Sequence, residues 1–341
     1  MKKGVTLKDI ATRLHMSIST VSKALNNDPT ISQATKERVH KKAEEWNYVP
    51  NASALHFKLN KSFTIGVIIP DLLDQFYGLA INGVDDIATK QNYNLILTQS
   101  NENIDKERKI IDLMIKNRID GIIIAITQYT VEMSIFAKLK SMGIPVVFIS
   151  REPKNNSINY VCCNNKEGAY KATNLLIQKG HKRIAHISGP ETLLASKERL
   201  EGYEKALTIH KIPVDPDLIK RVDFSYASTK SAIEELLTLK NPPTGIFAFK
   251  NYITLDAIDY LKREEPEKLK NIDFVGFGNL PLIKYLDHKP IASIEESSYE
   301  MGQESARLLF EMMNQNDEST EEVQVKIEIP CQLIIHEPPG D

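Results

Sequence analysis

The stretch Val5–Asn27 reads VTLKDIATRLHMSISTVSKALNN, and two short helices can be picked out of it residue by residue. Thr6 followed three positions later by Asp9 resembles a capping box, so a helix is predicted from there to about Leu14. Leu7, Ile10, Ala11 and Leu14 lie on one side of it at helical spacing. His15 and Met16 leave only a tight connection before Ser17, which caps a second helix over Ile18–Leu25. Ser32 opens a third, carrying Val39, Ala43 and Trp46 inward. Two short helices joined by a few residues and backed by a third make a helix-turn-helix. In that arrangement the second helix enters the major groove and presents its early residues to base edges. Val21, Ala24 and Leu25 have the spacing to face a small core, which turns Ile18, Ser19, Ser22 and Lys23 outward. Lys23 suits guanine O6 and N7, and Ile18 suits a thymine methyl. Ser17, Thr20, Ser22 and Asn26 suit phosphate oxygens, which fix register without reading sequence.

Charge points the same way. The chain has 341 residues and a formal net charge of −2. Residues 1–60 nevertheless hold ten Lys/Arg against five Asp/Glu, so the remainder is acidic. A small basic head on a larger acidic body implies a polyanion partner for the head alone. Three cysteines, Cys162, Cys163 and Cys331, make no disulfide framework, and no Cys/His cluster has metal-ligand spacing. The start, MKKGVTLKDIATRL, has no apolar run of signal length, and nowhere do about eighteen apolar residues run together. The expectation is a cytoplasmic, nucleoid-associated protein with no cofactor, no metal and no membrane partner.

From about Ser62 the rhythm changes. TIGVIIP, YNLILTQS, DGIIIAIT, IPVVFIS, RIAHISGP, GIFAFKN and IDFVGFGN read as strands, each followed by a helix-like segment. Continuous Ile/Val runs mean strands buried on both faces, and alternation with helices means parallel sheets. Roughly ten such strands are too many for one ordinary open sheet. The predicted fold is therefore an all-α helix-turn-helix head joined to an α/β body of two doubly wound parallel-sheet subdomains. A ligand would lie beyond the carboxyl ends of the strands, in the cleft between them.

VTLKDIATRLHMSISTVSKALNN, with ISQATKERVHKKAEEWNYVPN after it, resembles the DNA-binding head of the LacI family of bacterial transcription regulators. TIGVIIPDLLDQFY, DGIIIA, GIPVVFIS, GHKRIAHISGP, RLEGY and IDFVGFGN extend the likeness over the whole chain. The resemblance implies a periplasmic-binding-protein-like body that dimerises and takes a small effector between its lobes. It implies double-stranded operator DNA as partner, bound as a homodimer, with a tetramer also open. The expected division is a head over 1–50, a hinge helix over 51–61 and a body over 62–341. Within the body, one subdomain would take about 62–160 plus 291–322 and the other about 161–290 plus 323–341.

In the family the connector reads Y-x-P-N-x-x-A-R-x-L, a hinge helix whose Leu wedges into the minor groove. This chain has Tyr48-Val49-Pro50-Asn51-Ala52-Ser53-Ala54-Leu55-His56-Phe57, with Phe57 at the wedge position and Leu55 for the usual Arg. The resemblance thus adds Thr6, Tyr48, Asn51, Ala54 and Phe57 to the candidate DNA contacts. A helix of some seven residues is marginal in water, so it is expected to order against DNA and its dimer mate. Apolar wedges kink DNA at the cost of unstacking a base step.

Carried over by position, the effector residues are Phe76, Tyr77, Ser150, Leu193, Ala195, Arg199, Lys250, Asn251 and Gly278. The aromatic pair suits a sugar ring or base, and the Arg199 fork suits a carboxylate, phosphate or hydroxyl pair. The family often has Asp at the positions of Ser150, Cys163 and Gly278, and Asn-Asp at Lys250-Asn251. Those departures, with Lys250 and Arg199 near the cleft, raise an acidic or phosphorylated sugar beside a neutral one. The chain shows no G-x-G-x-x-G, Walker, G-x-S-x-G or H-E-x-x-H sequence, so no catalytic residue is assigned. A solute-binding protein would suit the body without the head, and a protein co-regulator would replace the small ligand.

Overall fold

The computed structural model describes residues 5–48, 61–152, 158–314 and 324–336. The chain forms two compact units, 1–62 and 63–341.

In the head, helix α1 (Leu7–Leu14) starts on Thr6, whose hydroxyl accepts from the Asp9 N–H while the Asp9 carboxylate accepts from the Thr6 N–H at 2.8 Å. It stops at His15, whose left-handed φ of 54° turns its N–H back onto the Ala11 carbonyl. Helix α2 (Ile18–Leu25) starts on Ser17, which accepts from the Thr20 N–H at 3.0 Å. Helix α3 (Gln33–Glu45) starts on Ser32 in the same way. Each such cap is worth about 1 kcal/mol. The core beneath is small: Ile10, Val21, Ala24 and Val39 are fully buried, Ala11 and Ala43 nearly so. Leu7, Leu14, Leu25 and Trp46 pack around them, half-buried.

In the body, alternating strands and helices run β1 (Thr64–Ile69), α4 (Gln75–Lys90), β2 (Asn94–Gln99), α5 (Ile104–Lys116), β3 (Gly121–Ile124), α6 (Ser134–Ser141), β4 (Val146–Ile149) and β5 (Asn159–Cys163). They continue as α7 (Asn165–Gln178), β6 (Ile184–Ser188), α8 (Leu194–Ile209), β7 (Ile219–Arg221), α9 (Tyr226–Thr238), β8 (Gly245–Ala248), α10 (Asn251–Glu264), α11 (Pro266–Leu269) and β9 (Asp273–Phe277). The last elements are β10 (Ala292–Glu295), α12 (Ser298–Asn314), β11 (Lys326–Ile329) and β12 (Gln332–Ile335). The first sheet has the order β11-β5-β4-β3-β1-β2, and the second β12-β10-β9-β8-β6-β7. The first is parallel throughout; in the second only β12 runs antiparallel, against β10. The central β3, Gly-Ile-Ile-Ile, is buried along its whole length, as a strand covered on both faces must be.

The two expected sheets are both present, with twelve strands among the described residues rather than roughly ten. The additional short strands owe their assignment to pairing, not to a long apolar run. Pairing also moves the subdomain limits. Strand β5 keeps the chain in the first sheet as far as Cys163, β10 belongs to the second sheet, and β11 to the first. The expected limits near 160, 290 and 322 therefore give way to three crossings, after Cys163, after Glu295 and after Ile329. Beneath the first sheet α4 and α12 touch through glycine: a Cβ on Gly83 would lie 2.0 Å from the Tyr299 carbonyl oxygen, and one on Gly302 1.9 Å from that of Ala80.

Candidate functional site

Helix α2 turns outward most of the side predicted for it, although Ser22 is half-buried, as is Leu25, which was expected in the core. Val21 and Ala24 are wholly buried, whereas Ile18 is 49% exposed and Ser19 and Lys23 are exposed beside it. Several of the short polar groups are already engaged. The Ser17 and Thr20 hydroxyls lie 2.8 Å apart, Asn26 Nδ2 donates to the Ser22 carbonyl at 2.9 Å, and Thr6 Oγ1 donates to Asp9 at 2.7 Å. Tyr48 is half-buried against the head core. Asn51, Ala54 and Phe57 lie outside the described residues.

The body holds a cavity of about 270 Å³ where the carboxyl ends of both sheets' strands meet. Its walls come from the segments after β1 (Asp74–Tyr77), β3 (Ile126–Val131), β4 (Ser150–Glu152), β6 (Thr192–Ala195), β8 (Phe249–Tyr252), β9 (Phe277–Leu280) and β10 (Glu295, Glu296, Ser298). All nine expected positions, Phe76, Tyr77, Ser150, Leu193, Ala195, Arg199, Lys250, Asn251 and Gly278, line it. They do not all offer a free group. The Tyr77 ring is 4% exposed, edge-on to Phe76 at 5.0 Å, so only the half-buried Phe76 of this pair has a face near the surface.

Arg199 is 5% exposed and its fork is filled by the protein. Nε donates to Asn165 Oδ1 at 2.9 Å, Nη1 to the Phe249 carbonyl, and Nη2 to Glu296 Oε1 at 2.9 Å. Its guanidinium carbon lies 4.3 Å from the Phe249 ring centre and 3.5 Å from that of Phe277. The ligand-gripping fork expected of Arg199 is thus committed to other work, holding α8, the β8 end and the Glu296 carboxyl at the second crossing together. Lys250 is paired as well: Nζ lies 3.4 Å from Asp74 Oδ2 and 4.6 Å from the Phe224 ring centre. That pair joins the two lobes across the cleft, beside Tyr252, whose hydroxyl lies 3.4 Å from the Gln75 N–H. Asn251 Nδ2 donates to Ser293 Oγ at 2.9 Å, leaving Oδ1 buried without a partner among the described residues.

Three site groups were absent from the sequence reading. Arg151 donates from Nη1 to Glu102 Oε1 at 2.7 Å and to the Ile126 carbonyl at 3.1 Å. Glu107, 1% exposed, accepts from the Thr127 N–H at 2.8 Å and from Thr130 Oγ1 at 2.7 Å, and so holds the cavity wall after β3. Glu296 sits just past β10, and burial pushes its carboxyl up to about 7 against the pull of Arg199. The usable signal was position: Arg151 and Glu296 each follow a strand's carboxyl end, where an open α/β sheet places its ligands. Among the described residues no helix is long and apolar enough to cross a membrane, and no group of three His, Cys, Asp or Glu would hold a metal ion. The three cysteines are free thiols.

A helix-turn-helix unit together with a two-lobed body that holds a cleft at its strand ends defines a DNA-binding regulator of two-part build. Residues 6–51 match the bacterial regulatory proteins of the lacI family, and residues 62–337 match the periplasmic binding proteins and sugar binding domain of LacI family. The chain belongs to the LacI family; it is a DNA-binding transcription regulator of the repressor kind and not an enzyme. It is 34% identical over 310 residues to the HTH-type transcriptional repressor CytR of Escherichia coli (strain K12), covering 91% of this chain and 90% of that protein. Among solved structures it resembles the transcriptional regulator CelR–cellobiose complex, with 26% identity, TM-score 0.70 and coverage of 97% and 98%. The lac repressor dimer bound to operator and the anti-inducer ONPF shares the fold, with TM-score 0.83 at 21% identity and the same coverages.

Proposed function

We propose that this protein binds a palindromic operator as a homodimer in the cytoplasm and that a small sugar-like effector in the body cleft changes its operator affinity. The exposed face of α2 carries the DNA half of this reading, because Ile18, Ser19 and Lys23 stand out from a helix whose other side is sealed by Val21 and Ala24. Lys23 and Ile18 read base edges. Ser17, Ser19, Thr20, Ser22 and Asn26 meet phosphates by donating hydroxyl or amide hydrogens to the phosphate oxygens. One hydroxyl hydrogen of the Ser17–Thr20 pair and the second hydrogen on Asn26 Nδ2 are available to do so, and Thr6 joins them by exchanging its bond to Asp9. Tyr48, Asn51, Ala54 and Phe57 extend the contact toward the minor groove. Two-fold operator symmetry calls for two heads. The effector half is supported by the cleft, whose lining sets Phe76 and Phe224 beside polar groups such as Asn251 and Glu296, and by CelR, whose structure was solved with cellobiose.

Selection of bound duplexes from a random library, then titration of the winner at several salt concentrations, tests the DNA half. A steep loss of affinity with salt is expected, as counterion release requires. Lys23→Ala should cost about 1–3 kcal/mol of binding and relax preference at one base pair. Equal loss on all sequences would make Lys23 a phosphate contact instead. Operator titration in the presence of pentoses, hexoses and disaccharides tests the effector half.

A further inference from the structure

Glu296 sits at the cleft with one carboxyl oxygen committed and the other free. Its Oε1 accepts from Arg199 at 2.9 Å, and the residue is 9% exposed. Oε2 has no hydrogen-bond partner among the described residues. It lies over Gly278, a cavity-lining residue at φ 90°, where a Cβ would come within 3.1 Å of it. Glycine there does two things: it permits the left-handed backbone and it leaves the space above that oxygen open. A carboxylate oxygen can accept from two donors, and this one faces the cavity with its accepting capacity open to a ligand.

The charges around it are unevenly matched. Each cation of the cavity wall has a carboxylate of its own: Arg199 has Glu296, Arg151 has Glu102 at 2.7 Å, and Lys250 has Asp74 at 3.4 Å. Two further carboxylates line the cavity, Glu152 and Glu295. Glu295 accepts from the Ser297 N–H at 3.0 Å and from Asn279 Nδ2 at 3.1 Å, with no cation against it. Among the described residues, an anionic ligand entering this space meets surplus negative charge and no unpaired guanidinium or ammonium in the cavity wall to offset its lost hydration.

Resting on the reading of the cleft as an effector site, we propose that Glu296 is its specificity-determining acceptor, taking an O–H or N–H donor of an uncharged or amino-bearing polyhydroxylated ligand and rejecting uronate and phosphate forms. Arg199 acts through Glu296 as a positioning residue, aiming the free oxygen while keeping its partner oxygen occupied. The half-buried faces of Phe76 and Phe224 flank the space in which a ring would lie.

The test is titration of the full-length protein with matched sets: ribose, glucose and cellobiose, their amino-sugar counterparts, and the corresponding uronates and phosphates. At least one neutral or amino member should bind more than tenfold tighter than its uronate and phosphate counterparts. Glu296→Gln should weaken that ligand at least tenfold and narrow the gap to the uronate, with the fold checked by circular dichroism. Glu152→Gln leaves Arg199 paired, and it should narrow the same gap even where Glu296→Gln fails to fold. Tighter binding of a uronate or phosphate overturns this assignment while leaving the sugar-like effector standing, and so does unchanged affinity and selectivity in a folded Glu296→Gln. Silence of the whole set overturns the sugar-like effector and this assignment with it; operator binding on the same preparation then stands apart from both.

Discussion

Thr6 and Asp9 are three residues apart and settle the start of α1 between them; Arg199 and Glu296 are 97 residues apart and meet only when the body has folded. The head is built from local decisions. Each of its three helices begins on a side chain that bonds an N–H within three residues, and its buried residues are all apolar. The body's cleft is built from distant ones: Arg199, Lys250 and Arg151 find their partners in segments far away in sequence. Where polar groups are satisfied locally, a protein can lose one and keep its shape. Where satisfaction is long-range, removing one partner strands another in low dielectric.

Several substitutions break or sharpen that contrast. The largest effect expected is from Ile10→Asp, which puts an unpaired carboxylate into a core too small to absorb it. The head should unfold and operator binding should vanish while the body's melting transition stays in place, as seen by calorimetry beside operator titration. Arg199→Leu should cost the body about 3–5 kcal/mol in urea unfolding, because Glu296 is left buried and alone. A cost below about 1 kcal/mol would mean that the network is better solvated than its burial indicates.

The third effect depends on pH. His186 lies between Tyr203 and Phe247, with ring centres 5.4 and 4.7 Å away, and burial pushes its pKa down from 6.5 to about 4. The unfolded chain then binds a proton that the folded body refuses. The associated stability is present above about pH 6.5 and is lost as pH falls toward 4, amounting to about 3 kcal/mol. Wild type and His186→Phe should keep a constant stability difference above pH 6.5, and as pH falls toward 4 the wild type should lose about 3 kcal/mol relative to the variant. The smallest effect is that of Thr6→Ala, which removes one cap and should cost about 1 kcal/mol of head stability. Its thermal shift should be confined to the head.

The head could be read from sequence almost to the residue because its signals sit within one turn of the structure they cause. The alternation of Ile/Val runs with helices likewise gave both sheets, since burial on two faces leaves a trace in every central strand. The short edge strands left none: Lys-Ile-Glu-Ile at β11 is a strand because Lys326–Ile329 pairs with Tyr160–Cys163. In the cleft, positions were legible and roles were not. Arg199 and Lys250 looked like free cations because their partners, Glu296 and Asp74, lie far away in sequence, and the carboxyl over Gly278 comes from a segment no local pattern connects to it.

The last two strands have a consequence for how the chain is made. Strand β11 completes one sheet and β12 the other, and the β11 ladder joins Lys326 to Tyr160. Synthesis proceeds from the amino end, and ladders between distant residues close late and slowly. On the ribosome the three-helix head can fold before most of the body has been made, whereas both lobes wait, each short of one edge, for the same ten residues from Lys326 to Ile335. The head is finished first, and the two lobes of the body are finished together.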